Sequence, residues 1–130
     1  MKKTKGVVVV RITRHAPQPA QIEALRRLYG DDVQIVTVQE TMPTDPRDFV
    51  TRFDEIAAGA GADIVEAVLP IQLLAAALQR SEFVRRGGRV IRAVMNRTVL
   101  PNGEVRFDFD HYEEVVKVEI VTIPLKTGGE

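Results

Sequence analysis

Stretches rich in β-branched and aliphatic residues alternate along this chain with segments whose apolar residues recur at helical spacing. This alternation constrains the fold more than any other feature. The apolar stretches predict four strands, at residues 7–12, 33–38, 63–69 and 90–95. Helical spacing predicts helices between them that begin at Pro19, Pro46 and Ile71. Because the strand stretches are almost entirely apolar, we expect an α/β fold: a mainly parallel open sheet, Rossmann-like in layout, with helices on both faces.

The pattern changes after residue 95. Pro101, Asn102 and Gly103 form a turn signal between apolar residues at 98–100 and an alternating stretch at 105–109. A last strand is predicted at 115–123, and residues 126–130 are expected to fray. These features predict an antiparallel C-terminal β extension. No repeat, linker or low-complexity segment interrupts the chain, so residues 1–130 are interpreted as one domain.

The composition excludes several classes of protein. Lys plus Arg is 18 and Asp plus Glu is 18, so the formal net charge is zero, which argues against coating of DNA or RNA through bulk charge. The chain has no cysteine, which excludes disulfides and thiolate chemistry. No apolar run reaches the roughly 20 residues of a membrane span, and the apolar stretch after the N-terminal lysines is too short for a signal peptide. We therefore expect a cytoplasmic protein without membrane or DNA partners.

The common motifs for cofactors and nucleophiles are missing. No Gly-x-Gly-x-x-Gly follows the first strand, and no lysine of the Walker type follows the glycine pairs near residues 59–61 and 87–88. Ser81 is the only serine, and no Gly-x-Ser-x-Gly surrounds it, so a serine hydrolase is excluded. No pair of histidines has the spacing of metal ligands. The sequence therefore predicts neither a cofactor nor a metal site.

Polar residues follow the predicted strands at their carboxyl ends, where open α/β sheets bind ligands. The helices that come next direct their N-terminal N–H groups to the same edge, which favours an anion. The residues at these four strand ends are Thr13, Arg14 and His15, then Gln39, Glu40 and Thr41, then Leu69, Pro70 and Gln72, and finally Asn96 and Arg97.

Two readings remain open for each of the sharpest candidates. Arg14 and Arg97 are interpreted either as a pair that grips phosphate at one edge or as ordinary surface arginines. His15 is interpreted either as an acid or base or as a structural residue. His111 lies in an acidic stretch, but alternation directs Phe107 and Phe109 inward and the carboxylates outward, so a charged outer face is favoured over a metal site.

Two segments carry a resemblance to a known family. Residues 10–15, Val-Arg-Ile-Thr-Arg-His, resemble the strand followed by Ser/Thr-Arg-His that opens small CRISPR-associated proteins related to the CARF domain. Residues 62–76 are similar to the segment of those proteins in which an aspartate-led strand ends in Leu-Pro and enters a leucine- and alanine-rich helix. The segments span about a fifth of the chain. Glu66 and Ala67 depart from the smaller residues expected there, and the chain from Thr98 onward has no clear counterpart.

The resemblance implies a homodimeric CARF-like protein that binds a cyclic oligoadenylate, most of all cyclic tetra-adenylate, across its two-fold axis. Single-domain members are proposed ring nucleases that switch off type III CRISPR signalling in antiviral defence. Thr13, Arg14 and His15 match the first motif. The second motif is matched by Leu69, Pro70, Ile71 and Gln72. Asn96 and Arg97 enter on predicted geometry alone.

The chemistry implied needs no metal, since a ribose 2′-hydroxyl can attack the neighbouring phosphate. Arg14 is the candidate for stabilising phosphoryl charge, and His15 or Glu40 for moving protons. Two other functions stay open. One is a sensor or sponge that binds the messenger without cutting it. The other is a structural subunit that oligomerises through the C-terminal extension, residues 105–123, by a β-strand contact between chains.

Overall fold

The computed structural model describes residues 6–119 and 121–128. The elements follow one another as β1 (Val8–Ile12), α1 (Pro19–Tyr29), β2 (Gln34–Val38), α2 (Pro46–Ala60), β3 (Ile64–Ala67), α3 (Ile71–Arg80), α4 (Glu82–Arg85), β4 (Arg89–Val99) and β5 (Val105–Glu114). The five strands form one sheet in the order β2-β1-β3-β4-β5. All neighbours are parallel except β4 and β5, which are antiparallel. The predicted α/β fold with an antiparallel C-terminal extension is therefore confirmed.

The helix boundaries follow from local signals in the sequence. Pro19 and Pro46 each occupy the first helical position, where a missing N–H costs nothing. The Asp45 carboxylate accepts hydrogen bonds from the backbone N–H groups of Arg47 and Asp48, at 3.0 and 3.1 Å. Gly61 ends α2 with a left-handed φ of 63°, which glycine adopts without strain.

Alternation along the strands divides the core between the two faces of the sheet. On one face, Val8, Val10 and Val65 pack with the phenylalanines of α2 and the leucines of α3. On the other face, Val9 and the neighbouring strand residues Ile64 and Ile91 pack against Leu25 of α1. None of the described helices is both long and apolar enough to cross a membrane.

The fourth strand is longer than predicted. β4 pairs with β3 only up to Ile91, then continues to Val99 with β5 as its one neighbour in the described sheet. At about 3.3 Å per residue, this overhang carries the hairpin roughly 25 Å past that last pairing. The predicted end of the fourth strand at residue 95 was wrong. The turn at Pro101–Gly103 lets β4 and β5 form an antiparallel ladder, and this pairing extends β4 to Val99.

The last predicted strand was also wrong for the described residues. β5 ends at Glu114, and residues 115–119 and 121–128 contain no strand. Ile120 lies outside the described residues, as do the N-terminal lysines and the last two residues of the stretch expected to fray. The β-branched composition of this segment raises strand propensity, but a strand also needs a neighbour with a free edge.

A short helix, α4, was missed by the sequence patterns. Asp54 of α2 accepts hydrogen bonds from the Ser81 hydroxyl at 2.6 Å and from the N–H groups of Glu82 and Phe83. The bonded residues are nearly thirty positions apart in the sequence, so local helix propensity does not predict this contact. Ser81, excluded as a nucleophile, is fully buried and serves here as the helix cap.

Candidate functional site

The loop after β1 is held against the end of β2. The N–H of Thr13 donates to the carbonyl of Val38 at 3.2 Å, and the Arg14 guanidinium donates to the Thr41 hydroxyl at 3.0 Å. The Gln39 amide reaches the Arg14 carbonyl at 3.5 Å. The Thr13 hydroxyl accepts from the N–H of His15 at 3.3 Å, which turns the chain after the strand. The structure thus brings together five candidate residues, Thr13, Arg14, His15, Gln39 and Thr41, and we call this group the β1–β2 rim.

A buried arginine holds the loop of the β1–β2 rim in place through hydrogen bonds. Arg11, only 3% exposed, donates from Nη1 to the His15 carbonyl at 3.0 Å and to the Thr37 hydroxyl at 3.3 Å. Its Nε donates to Glu66 Oε1 on the neighbouring strand at 3.1 Å. Because a guanidinium offers donors in a fixed planar fork, these contacts fix the path of the chain at His15.

The same buried carboxylate connects the rim to the C-terminal hairpin. Glu66 Oε1 also accepts from the Tyr112 hydroxyl at 2.8 Å, and that hydroxyl in turn accepts from the Gln21 amide at 3.3 Å. Burial, with the nearby Glu66 carboxylate, raises the pKa of Tyr112 well above its usual value. The phenol therefore stays a neutral donor at any physiological pH.

A second contact fastens the hairpin to the start of α1. The Gln18 side chain donates to the Phe107 carbonyl and accepts from the N–H of Phe109, both at 3.0 Å. Two bonds to one side of a strand are what a neighbouring strand would make. The Gln18 amide thus occupies part of the outer edge of β5.

Sequence reasoning missed Arg11, Glu66 and Tyr112. Each lies inside a strand; Glu66 was interpreted as a departure from the family pattern, and Arg11 and Tyr112 were not singled out. A signal was present: Arg11 and Glu66 are opposite charges inside two apolar stretches. Recognising them as partners required the register in which Arg11 pairs directly with Glu66.

Glu40 is already engaged in an ion pair. Arg52 of α2 donates to both carboxylate oxygens, at 2.5 and 2.6 Å. These hydrogen bonds lower the pKa of Glu40. An ionised carboxylate of low pKa can accept a hydrogen bond, but it is a poor proton donor at neutral pH, which weakens the case for Glu40 as a proton donor.

The candidates after β3 meet the same edge of the sheet. Ile12 at the end of β1 pairs with Ala67 at the end of β3, so the two following loops start side by side. Leu69 packs on the core, whereas Pro70, Ile71 and Gln72 are exposed. Pro70 precedes α3 and makes no side-chain cap, unlike Asp45 before α2.

The geometric argument for Asn96 and Arg97 was wrong. Both lie within β4, not at its end, with Asn96 paired to Asp108 and Arg97 to Phe107 in the ladder. The Asn96 amide donates to Asp110 at 3.2 Å. The pairing of β4 with β5 extends the strand past them, so neither residue lies at a strand end.

The acidic stretch near His111 forms an exposed face, as expected. His111 Nδ1 lies 2.5 Å from Asp110, and this hydrogen bond lowers the pKa of the Asp110 carboxyl. The described residues contain no group of three His, Asp or Glu arranged to hold a metal ion. The expectation that Phe107 points into the core was wrong, since it is 54% exposed on the overhang.

A cleft of about 740 Å³ opens at the opposite edge of the sheet, near the starts of β1, β3 and β4. Two of its carboxylates already bind the protein's own backbone: Asp54 caps α4, and Asp63 accepts from the N–H of Val8 at 2.9 Å. The β1–β2 rim is an open surface by comparison.

Comparisons with known protein families, with curated proteins and with solved structures find no match for this chain.

Proposed function

We propose that the carboxyl edge of the sheet binds a cyclic oligoadenylate, most of all cyclic tetra-adenylate, across the two-fold axis of a homodimer. The observation that carries the proposal is the placement of Arg14. Its side chain is exposed, yet it is hydrogen-bonded to Thr41 at the end of the next strand, on a loop held by buried Arg11.

The charge and geometry of Arg14 suit a phosphodiester. A guanidinium has five N–H donors, and the bond to Thr41 uses one of them, so the side chain retains the capacity for a bidentate phosphate contact. The N-terminus of α3 adds backbone N–H groups at the same edge, where no side chain caps them.

Two-fold symmetry explains how one arginine serves a ring. A homodimer presents each rim twice, so two copies of Arg14 face a ligand that carries one negative charge per phosphate. The open shape of the rim in a single chain is compatible with half of such a site. The zero net charge is compatible too, since the ligand needs only a local positive group.

The proposed reaction opens the ring. The ribose 2′-oxygen attacks its neighbouring phosphorus and loses its proton to a base, while the bond from phosphorus to the 5′-oxygen breaks and that oxygen takes a proton. The products are a 2′,3′-cyclic phosphate and a 5′-hydroxyl. Arg14 stabilises the added phosphoryl charge and His15 moves the proton, while ionised Glu40, held by Arg52, serves only as a hydrogen-bond acceptor. This activity belongs to the cytoplasm, where it would end type III CRISPR signalling.

Incubation of the purified protein with cyclic tri-, tetra- and hexa-adenylate in EDTA, followed by chromatography, tests the proposal. Wild-type protein should bind and open one of these rings. Arg14→Ala should weaken binding by roughly 10- to 100-fold, the loss expected for a hydrogen bond to a charged group, and should abolish cleavage. Arg85→Ala is the matched control, because Arg85 is an exposed arginine of α4 that pairs with its neighbour Glu82.

Three results separate the functions. Binding with cleavage supports the ring nuclease. Binding without cleavage, weakened by Arg14→Ala, supports the sensor or sponge. If none of the three rings binds, or if Arg14→Ala binds as tightly as the control, the assignment to this edge is overturned.

A further inference from the structure

Three buried polar side chains connect the loop between β1 and α1 to the C-terminal hairpin. Arg11, Gln21 and Glu66 are 3%, 4% and 4% exposed. Buried polar groups depend on their protein partners, because water does not readily replace a partner that is lost. The hydrogen bonds of all three side chains lead to one group, the hydroxyl of Tyr112 on β5.

The first path runs from Tyr112 to His15. The Tyr112 hydroxyl donates to Glu66 Oε1 at 2.8 Å, and the same oxygen accepts from Arg11 Nε at 3.1 Å. Arg11 Nη1 then donates to the His15 carbonyl at 3.0 Å. Because a guanidinium is a rigid plane, a shift of Nε at Glu66 also moves Nη1 at His15.

The second path runs from Tyr112 to Gln18, the residue before α1. The Gln21 amide nitrogen donates to the Tyr112 hydroxyl at 3.3 Å, and the Gln21 amide oxygen accepts from the Gln18 N–H at 2.8 Å. The side-chain amide is planar as well, so its two contacts move together. The two paths therefore reach residues 15 and 18, the two ends of the short segment that leads into α1.

We propose that the Tyr112 hydroxyl is a positioning group that sets the conformation of residues 15–18, and with it the place of His15 in the β1–β2 rim. The hydroxyl donates along one path and accepts along the other, so it joins them. Its removal leaves Glu66 and Gln21 each with one partner fewer in a buried environment. They must move to recover a hydrogen bond, and the movement reaches both ends of the segment.

Backbone amide NMR of the ligand-free protein tests this proposal. Tyr112→Phe removes one oxygen and keeps the ring, and it should shift the amide signals of His15, Ala16 and Gln18. Tyr29→Phe is the matched control, because it removes the same atom from the other tyrosine of the chain, at the opposite end of α1 from Gln18. The control should leave these three signals in place.

A second background tests whether the effect passes through Glu66 and Arg11. Arg11→Met/Glu66→Leu removes the first path and keeps Gln21. In this background, Tyr112→Phe should no longer shift the His15 amide but should still shift the Gln18 amide. A merely structural role of Tyr112 predicts no such difference, since a general loss of stability does not act on one signal and spare the other.

A kinetic consequence rests on the proposed ring nuclease. Because His15 moves the proton in that reaction, its displacement in Tyr112→Phe should lower kcat by roughly 10- to 100-fold. KM should change little, because Arg14 and its bond to Thr41 lie on neither path. Tyr29→Phe should open cyclic tetra-adenylate at the wild-type rate.

Failure of the proposed function and failure of this inference are distinguishable. A wild-type protein that opens no ring overturns the ring nuclease, whereas the amide signals still decide the role of Tyr112. Shifts of the His15 and Gln18 amides in Tyr112→Phe but not in Tyr29→Phe, with the His15 shift lost in the Arg11→Met/Glu66→Leu background, support the proposal.

Three results overturn it. The first is a pair of amide signals that stay in place in Tyr112→Phe or shift equally in Tyr29→Phe. The second is a His15 shift that persists in the Arg11→Met/Glu66→Leu background. The third is an unchanged kcat for Tyr112→Phe when the wild-type protein opens the ring.

Discussion

The parallel part of the sheet and the C-terminal part are stabilised in different ways. All fully buried apolar residues of the described chain lie between Val8 and Ile91, packed in two clusters on the two faces of the sheet. Beyond Ile91, Val99 and Phe107 are exposed, and only partly buried side chains such as Tyr112, Val115 and Val118 reach the clusters, so side-chain hydrogen bonds carry more of the attachment.

The contrast shows how a hairpin can be held without a core of its own. A two-stranded hairpin is only marginally stable in isolation. Here the Gln18 amide bonds its outer edge, and Tyr112 bonds Glu66, which also pairs with Arg11. The polar contacts that hold the hairpin are continuous with those that hold the loop carrying His15.

The largest expected difference in stability is between two alanine substitutions, one of a phenylalanine in the parallel part and one of a phenylalanine in the C-terminal part. Phe53 is fully buried between Phe49 and Phe83, so Phe53→Ala should lower the free energy of unfolding by about 3–5 kcal/mol. Phe107→Ala on the overhang should cost less than about 1 kcal/mol. Urea denaturation of both variants measures the difference. Equal losses would show that the overhang shares the apolar core after all.

A comparable loss of unfolding free energy is expected when Glu66 is substituted, and it should first affect the hairpin. Glu66→Ala leaves the Arg11 guanidinium buried without its carboxylate, which should cost about 3–5 kcal/mol of unfolding free energy. Arg11→Met/Glu66→Leu removes both charges and should recover most of that loss. Urea denaturation gives the energies, and amide exchange in β5 shows whether the hairpin loosens first. A loss below about 1 kcal/mol for Glu66→Ala would contradict a structural role for the pair.

The smallest effect concerns the Tyr112 hydroxyl. Tyr112→Phe removes two hydrogen bonds, one to Glu66 and one from Gln21, and should cost about 1–3 kcal/mol near neutral pH. Because the folded pKa of Tyr112 is raised above 10, its unfolded value, native stability should fall as the pH rises above about 10. This part of the alkaline loss should be absent in Tyr112→Phe.

Tyrosinate absorbance measures the same pKa directly. The chain has two tyrosines and no tryptophan, and burial also raises the pKa of Tyr29. Both phenols should therefore titrate above pH 10 in the native protein, and at about 10 in urea. A native titration at the unfolded value would contradict the burial of Tyr112 against Glu66.

Much of the parallel part could be predicted because the local sequence patterns there agree with the strands and helices of the tertiary structure. Apolar stretches coincide with β1, β2 and β3, and proline, Asp45 and glycine define the helix ends. The β1–β2 rim was predictable for the same reason, since carboxyl ends of adjacent parallel strands meet at one edge. The C-terminal part was harder, because strand length and burial there depend on which neighbour a strand finds.

The sequence by itself determined the alternation of strands and helices, the position of the caps and the presence of Thr13, Arg14 and His15 after the first strand. Only the tertiary structure decided that Arg11 and Glu66 are partners, that Glu40 is bound to Arg52, and that Arg97 lies within β4 and not at its end. The physical reason is that periodicity and caps act within a few residues. Ion pairs and ladders instead join residues that are distant in the chain, and they exist only once strand order and register are set.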